Sequence, residues 1–181
     1  MNLNNHFGRH LRTALPLLLA ATCSTDDELF PLDHRVKASY LLNLLRFIDW
    51  PHDVSPPHGR LNLCICGAYS LDGYYALHGE RVRGRTLAVA RIKDITPARI
   101  EKCHILVVSG DMPLVSVPVA RGLMTVGESE GFTARGGLIN LFLIAGRMRF
   151  ELNHELAQAC GFTIDPKLLR LRTAVWCAAQ S

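Results

Sequence analysis

The stretch that decides the fold runs from Leu123 to Val175 and reads LMTVGESEGFTARGGLINLFLIAGRMRFELNHELAQACGFTIDPKLLRLRTAV. Inside it, an apolar run over residues 138–144 leads into Ala145-Gly146, a pair with turn chemistry, and residues 147–152 then alternate strictly between polar and apolar. This order predicts a β-hairpin whose second strand is half-buried. The apolar face of that strand holds Met148, Phe150 and Leu152.

Helix-capping residues follow the hairpin. Asn153 is a good N-cap, Glu155 suits a first helical turn, and Gly161 can end the helix. Asp165-Pro166 predicts the start of a second helix, because proline lacks an N–H that the first helical turn leaves unpaired anyway. The C-terminal third is therefore predicted to be a hairpin followed by two helices.

Upstream of this stretch, predicted strands alternate with short helices. The apolar spacing of residues 26–50 predicts an amphipathic first helix that ends at Trp50-Pro51. Strands are predicted over residues 61–66, 85–92, 104–109 and 123–126, and short helices over 71–78, 96–101 and 113–121. The pattern predicts one α/β domain with a mostly parallel sheet, flanked by helices, and an antiparallel hairpin near the C-terminus.

Composition limits the class of protein. The chain has 181 residues, of which 49% are hydrophobic, so it can bury a core as one domain. The formal net charge is +4 and falls to +2 once Arg9 and Arg12 near the N-terminus are set aside, which is too balanced for a nucleic-acid-binding surface. The densest basic cluster, RVRGR at residues 81–85, is interpreted as a solvated loop or strand rim. The glycines between 127 and 137 are interpreted as turn residues with positive φ, not as a phosphate loop.

The N-terminus has the order of an export signal. Arg9 and Arg12 precede an apolar run over residues 14–21, and small residues follow. This order predicts a signal peptide over residues 1–24, with the folded domain over 26–178. The apolar run is too short to cross a bilayer, so we expect the signal peptide to be cleaved and the product to be exported. A lipoprotein is disfavoured, because Thr22 and Ala20 stand where a lipid-attachment site before Cys23 would have a small residue and a leucine.

Six cysteines in an exported chain favour disulfide bonds. Cys64 and Cys66 share one strand face, and a neighbouring strand could bring either of them to Cys103. A metal site made of these cysteines and His104 is disfavoured, because alternation points Cys103 and His104 to opposite faces. The chain has no local nucleophile or phosphate-loop motif, so we expect no catalytic residues, metal or cofactor.

Two surfaces are candidate binding sites. The first helix is apolar over more than half of its circumference, so it is either buried on two sides or meets a partner through Tyr40, Leu44, Phe47 and Trp50. Arg147 and Arg149 on the hairpin, with Arg170 and Arg172 near the C-terminus, could form an anion or ligand site. The alternative for these arginines is pairing with acidic residues on the surface.

Several segments resemble the YfiR-like family of bacterial periplasmic proteins. The segments are KASYLLNLLRFIDWP (37–51), LNLCICG (61–67), CHILVVS (103–109), TVGESEGFTARGGLINL (125–141), GRMRFELN (146–153) and PKLLRL (166–171). They occur in the family's order and cover about residues 35–175. The resemblance implies a disulfide between Cys64 and Cys103, and leaves the fate of Cys66, Cys160 and Cys177 open.

The resemblance also implies a function. It implies a non-enzymatic periplasmic regulator that binds and represses an inner-membrane diguanylate cyclase, responds to redox or envelope stress, and so affects cyclic di-GMP and biofilm formation. A homodimer is expected, with the first helix as one interface. The alternative is a periplasmic small-ligand-binding sensory domain that has no cyclase partner.

Overall fold

The computed structural model describes residues 29–54, 59–67, 72–108, 118–170 and 174–176. The helices are α1 (Leu29–Leu45), α2 (Asp72–Tyr75), α3 (Pro97–Ile100), α4 (His154–Ala159) and α5 (Pro166–Leu169), with a 3-10 turn at His52–Val54. The strands are β1 (Ile48–Asp49), β2 (Arg60–Cys66), β3 (Arg81–Val82), β4 (Arg85–Ile92), β5 (Ile105–Val108), β6 (Met124–Gly127), β7 (Ile139–Ile144), β8 (Arg147–Leu152), β9 (Thr163–Ile164) and β10 (Ala174–Trp176). The predicted signal peptide and most of the predicted 113–121 helix lie outside the described residues.

Eight strands form one sheet in the order β10-β8-β7-β6-β5-β2-β4-β3. Strands β4, β2, β5, β6 and β7 run parallel, whereas β3 is antiparallel to β4 and β8 is antiparallel to β7. This confirms the mostly parallel sheet with a hairpin near the C-terminus. The short strands β1 and β9 pair separately, as a two-stranded antiparallel ribbon. No helix of the described residues is both long and apolar enough to cross a bilayer.

The predicted hairpin is confirmed. Strands β7 and β8 pair so that Leu141 lies opposite Phe150, and the two residues between the strands are Ala145 and Gly146. Their φ angles are 49° and 71°. Two consecutive positive φ values define the tight hairpin turn whose twist matches that of the strands. The sequence pattern therefore located both the strands and their turn.

The helix caps are confirmed as well. Asn153 Oδ1 accepts a hydrogen bond from Leu156 N at 3.0 Å, and Asp165 Oδ1 accepts one from Lys167 N at 2.8 Å. Gly161 follows α4 with a φ of 86°. These local signals act through the backbone of the chain near them, which is why the sequence predicts them well.

The first helix is shorter than predicted. It ends at Leu45, and Ile48 and Asp49 pair instead with Ile164 and Thr163 of β9. The backbone N–H of Asp165 also donates to Phe47 O, at 2.8 Å. Helical spacing over residues 46–50 was thus overridden by hydrogen bonds to a segment far away in sequence. The buried face of α1 consists of Ala38, Leu41, Leu44 and Leu45, which join the main core.

A buried polar network holds α1 over the sheet. Glu128, directly after β6, accepts hydrogen bonds from Lys37 Nζ at 3.1 Å and from the Tyr74 hydroxyl at 2.5 Å. The Lys37 and Glu128 side chains are only 13% and 7% exposed. The network therefore ties α1 and α2 to the end of a central strand, with a buried charge compensated by its partner.

Two glycines have a different role from the predicted one. Gly131 and Gly136 have positive φ, as expected for turns, but Gly127 and Gly137 do not. A Cβ at Gly127 or Gly137 would overlap the ring of Phe132, which is fully buried between them. These two glycines are needed for the close approach of a ring and not for backbone conformation.

We predict that Gly137→Ala destabilises the protein by about 3 kcal/mol, because the added methyl group overpacks a buried ring. Urea denaturation of the purified protein measures the effect. The matched background is Phe132→Leu, in which the same Gly137→Ala change is expected to cost much less. Equal costs in the two backgrounds would show that the ring is not the reason for the glycine.

Candidate functional site

A disulfide joins the central strand to the start of its neighbour. Cys64 lies in the middle of β2 and Cys103 lies just before β5, with their Cα atoms 5.7 Å apart and a sequence separation of 39. The pairing implied by the family resemblance is therefore present. Cys66 and Cys160 are buried free thiols, and burial raises the pKa of both. Raised pKa values disfavour the reactive thiolate.

His104 supports the same junction through its neutral imidazole. The backbone N–H of Asn62 donates to His104 Nδ1 at 3.0 Å, and the Asn62 side chain donates to Lys102 O at 2.8 Å. Burial, aided by the positive charge of Arg85, lowers the pKa of His104. The ring nitrogen acts as an acceptor for a strand N–H. Within the described part of the chain, no three His, Cys, Asp or Glu side chains group as metal ligands.

We predict that this histidine makes the fold less stable in acid. Because its folded-state pKa is depressed, its contribution is fully present above about pH 6.5, the ordinary value, and is lost as the pH falls through the folded-state pKa. Denaturant titrations near pH 7.5 and pH 5.5 should show a smaller loss in His104→Gln, which keeps an acceptor and cannot titrate. An identical pH dependence in both proteins would contradict the assignment.

A polar cleft of about 970 Å³ opens at the amino edge of the parallel strands. Its walls come from β1 and the turn after it, from the start of β4, from the segment before β6, and from the β9 region. The lining residues are Asp49, Trp50, Pro51, His52, Asp53, Arg83, Arg85, Arg121, Gly161 and Thr163. Three arginines therefore face two aspartates across the cleft.

Two of the arginines form ion pairs with the aspartates. Arg121 donates from Nε and Nη2 to the two carboxylate oxygens of Asp53, at 2.8 and 2.9 Å. This bidentate contact lowers the pKa of Asp53. Arg83 pairs with Asp49 in the same way, with Nη2 at 2.7 Å from Oδ2. Both pairs are exposed to solvent, so each contributes little to stability and is open to competition by another anion.

Arg83 is held in an unusual backbone conformation. Its φ is 48°, and Gly84 beside it has a φ of 81°, so the pair forms the tight turn between β3 and β4. A side chain with a Cβ costs about 1–2 kcal/mol in this region of backbone space. The turn places the Arg83 guanidinium where Nη1 donates to Arg46 O, at 2.9 Å, beyond the end of α1. Strain of this kind clusters at functional sites.

Trp50 lines the cleft with a side chain that is almost wholly buried. The residue is 4% exposed, and its ring packs edge-on against Phe162 with centroids 5.7 Å apart. Its Nε1 has no hydrogen-bond partner among the described residues. A buried indole N–H normally has a partner, so this donor is an exception, and it is itself buried from solvent.

The structure separates the predicted partner-binding residues. Leu44 and Trp50 are buried in the core, whereas Tyr40 and Phe47 are half-buried. Tyr40 packs on Phe150 of β8, with ring centroids 6.1 Å apart. Leu44 and Trp50 therefore serve burial within the domain, whereas partner binding through the other two residues stays a prediction. A partner would reach only Tyr40, Phe47 and the solvent face of α1.

The described contacts do not bring the four arginines of the predicted anion site together in one cleft. Arg147 is exposed and Arg149 half-buried on β8, and Arg170 is exposed at the end of α5. Arg172 lies outside the described residues. No hydrogen bond or ion pair within the described part of the chain joins the hairpin arginines to Arg170. A shared site for the four arginines remains a prediction.

Sequence reasoning missed the cleft. Two of its three arginines, Arg83 and Arg85, come from the cluster RVRGR, which was interpreted as a solvated rim. The pair Arg83-Gly84 forms a two-residue hairpin turn with positive φ at both positions, and this turn brings Arg83 to the cleft. Asp49 and Thr163 come together through the β1–β9 ribbon, and no local sequence pattern predicts that pairing.

The fold and these sites define a class, a small disulfide-bonded α/β domain with a polar cleft. A family model described as YfiR/HmsC-like matches residues 34–172, so the chain belongs to the YfiR/HmsC-like family. A search of curated proteins finds no match to the chain. The family is one of periplasmic regulatory domains and is not known as an enzyme family. Together with the disulfide, membership indicates an exported regulatory protein.

Proposed function

We propose that this protein is a periplasmic repressor of an inner-membrane diguanylate cyclase. The observation that carries the proposal is family membership over residues 34–172, a stretch that contains the Cys64–Cys103 disulfide. A repressor of this kind works by binding the inactive state of its receptor more tightly than the active state. Release then raises cyclic di-GMP and favours biofilm growth.

The disulfide supplies the redox response in this proposal. Reduction removes a covalent link across 39 residues, which lowers the stability of the fold by about 4 kcal/mol in the chain-entropy model. Such a loss is a large part of the stability of a typical domain. A reduced repressor unfolds more often, is degraded, and leaves the cyclase active.

The proposal predicts that Cys64→Ser/Cys103→Ser lowers the thermal midpoint of the purified protein and its level in the periplasm. The chain itself offers a matched control in Cys160→Ser, which changes another buried cysteine and keeps the disulfide. Reductant should lower the midpoint of the wild type and of the control, and leave the double variant unchanged. Fully reduced thiols in protein taken from the periplasm would contradict the redox part.

The cyclase part needs its own test. The tagged wild-type protein is recovered from envelope extract with and without reductant, and cyclic di-GMP is measured in cells that lack or regain the gene. We expect a membrane cyclase to be recovered without reductant, and cyclic di-GMP to rise on deletion. Recovery of no cyclase in either condition, with unchanged cyclic di-GMP, would refute repression.

A second function is favoured by the cleft. We propose, as the alternative, that the domain senses a small anionic compound that binds between Arg83, Arg85 and Arg121. The convergence of three arginines on one cleft supports this proposal, because a small anion complements their positive charge. The exposed ion pairs with Asp49 and Asp53 would open to admit the ligand, at little cost in stability.

For this alternative we predict that small anions raise the thermal midpoint and that Arg85→Gln reduces the gain. The probes are inorganic phosphate and a short dicarboxylate, each compared with chloride at equal ionic strength. A ligand at one hundred times its Kd stabilises the fold by about 2.7 kcal/mol. The control is Arg81→Gln, because Arg81 lies on β3 and does not line the cleft. This variant should keep the full rise in thermal midpoint. An equal rise in thermal midpoint in the two variants would exclude the cleft as the site where the anion binds.

A further inference from the structure

The hairpin of β7 and β8 extends beyond the rest of the sheet. Strand β7 pairs with β6 only at Ile139 and Asn140, and β8 pairs with β10 only over residues 150–152. Residues 142–149, called here the arm, are therefore paired only with each other among the described strands. The arm leaves the carboxyl edge of the parallel strands, at the edge opposite the cleft.

The tip of the arm exposes large aliphatic side chains. Leu143 is 44% exposed and Ile144 is 55% exposed, and they are consecutive. By strand alternation they point to opposite faces, so apolar surface is present on both sides of the tip. Only three other large hydrophobic residues of the described chain are comparably exposed, and each is isolated in sequence. Scattered exposed apolar residues are ordinary, but a protruding apolar tip is not.

The arm also carries positive charge without negative charge. On one face Ile144 lies opposite Arg147, and Phe142 lies opposite Arg149. Residues 138–150 contain no acidic residue. The first one, Glu151, lies at the base of the arm, where its carboxylate accepts hydrogen bonds from Thr133 Oγ1 at 3.0 Å and Asn140 Nδ2 at 3.4 Å.

We propose that the arm docks on the surface of an anionic phospholipid bilayer. Two arginines complement lipid phosphates, and aliphatic and aromatic side chains between them enter the boundary between headgroups and acyl chains. Arginine suits this position because its long apolar stem lies along apolar surface while its guanidinium stays at the phosphates. Attachment is peripheral and reversible, since so small an apolar tip cannot anchor a protein by itself.

The docking geometry leaves the cleft accessible. Because the arm and the cleft lie at opposite edges of the sheet, a chain attached by its arm presents Arg83, Arg85 and Arg121 away from the membrane. Binding to a bilayer therefore does not require that the cleft be empty. The proposal also stands apart from cyclase repression, because protein-free vesicles test it.

The test is sedimentation of the full exported chain with vesicles of phosphatidylglycerol and phosphatidylethanolamine, and with neutral phosphatidylcholine vesicles. We expect binding to the anionic vesicles only, weakening as salt is raised. Arg147→Gln and Arg149→Gln should each lower the partition coefficient about fivefold. Leu143→Ser/Ile144→Ser should abolish binding, and thermal melts should show that these exposed changes leave the fold intact.

The matched control is Arg60→Gln/Arg81→Gln, which removes two exposed arginines at the other edge of the sheet. It should bind as the wild type does. Equal binding to anionic and neutral vesicles, or equal loss in the control, would overturn the proposal. If the arm variants changed only the oligomeric state in light scattering, the occupant would be a second copy. If they lost only the recovered membrane partner, the occupant would be a protein.

Discussion

The rest of the fold depends on one packing constraint, the enclosure of the Phe132 ring between Gly127 and Gly137. Strands β6 and β7 run parallel, yet only residues 128–138 connect them. Parallel neighbours normally need a longer crossover that contains a helix. Here a compact loop folds around one buried ring, and the missing Cβ atoms let the strand ends close on it. The hairpin, α4 and β9 all follow this crossing, so their placement on the sheet depends on it.

Charged side chains fasten helix α1 at its middle and just beyond its C-terminal end. Lys37 reaches Glu128 at the carboxyl edge of the sheet, and Arg83 donates to Arg46 O near the amino edge. The helix thus runs from the arm side of the molecule to the cleft side. Because Arg83 contacts both Asp49 in the cleft and the chain directly after α1, the cleft and the helix share one side chain. A molecule that binds Arg83 therefore contacts a side chain that also holds the C-terminal end of the helix.

The sequence predicted the features that depend on residues near one another in the chain, and it did not predict those that depend on distant ones. The hairpin turn at Ala145-Gly146 and the caps at Asn153 and Asp165 were predicted, because each acts through hydrogen bonds within a few residues. The length of α1 was not, because Ile48 pairs with Ile164, more than a hundred positions away. The cleft was missed for the same reason. Leu44 and Trp50 were candidates for a partner surface only because helical spacing cannot distinguish a core on two sides from an interface.

Burial of a third thiol beside the disulfide has a consequence for the biogenesis of the protein. Cys66 lies two residues after Cys64 on the same strand. In an unfolded chain, the entropic cost of closing a loop to Cys103 is therefore nearly the same for the two cysteines. The loop-closure terms for the two pairings differ by less than about 0.1 kcal/mol. Only the assembled sheet, with Cys64 5.7 Å from Cys103, distinguishes them. Oxidative maturation therefore has to follow strand assembly, or be proofread by an isomerase that reopens a Cys66–Cys103 mispair.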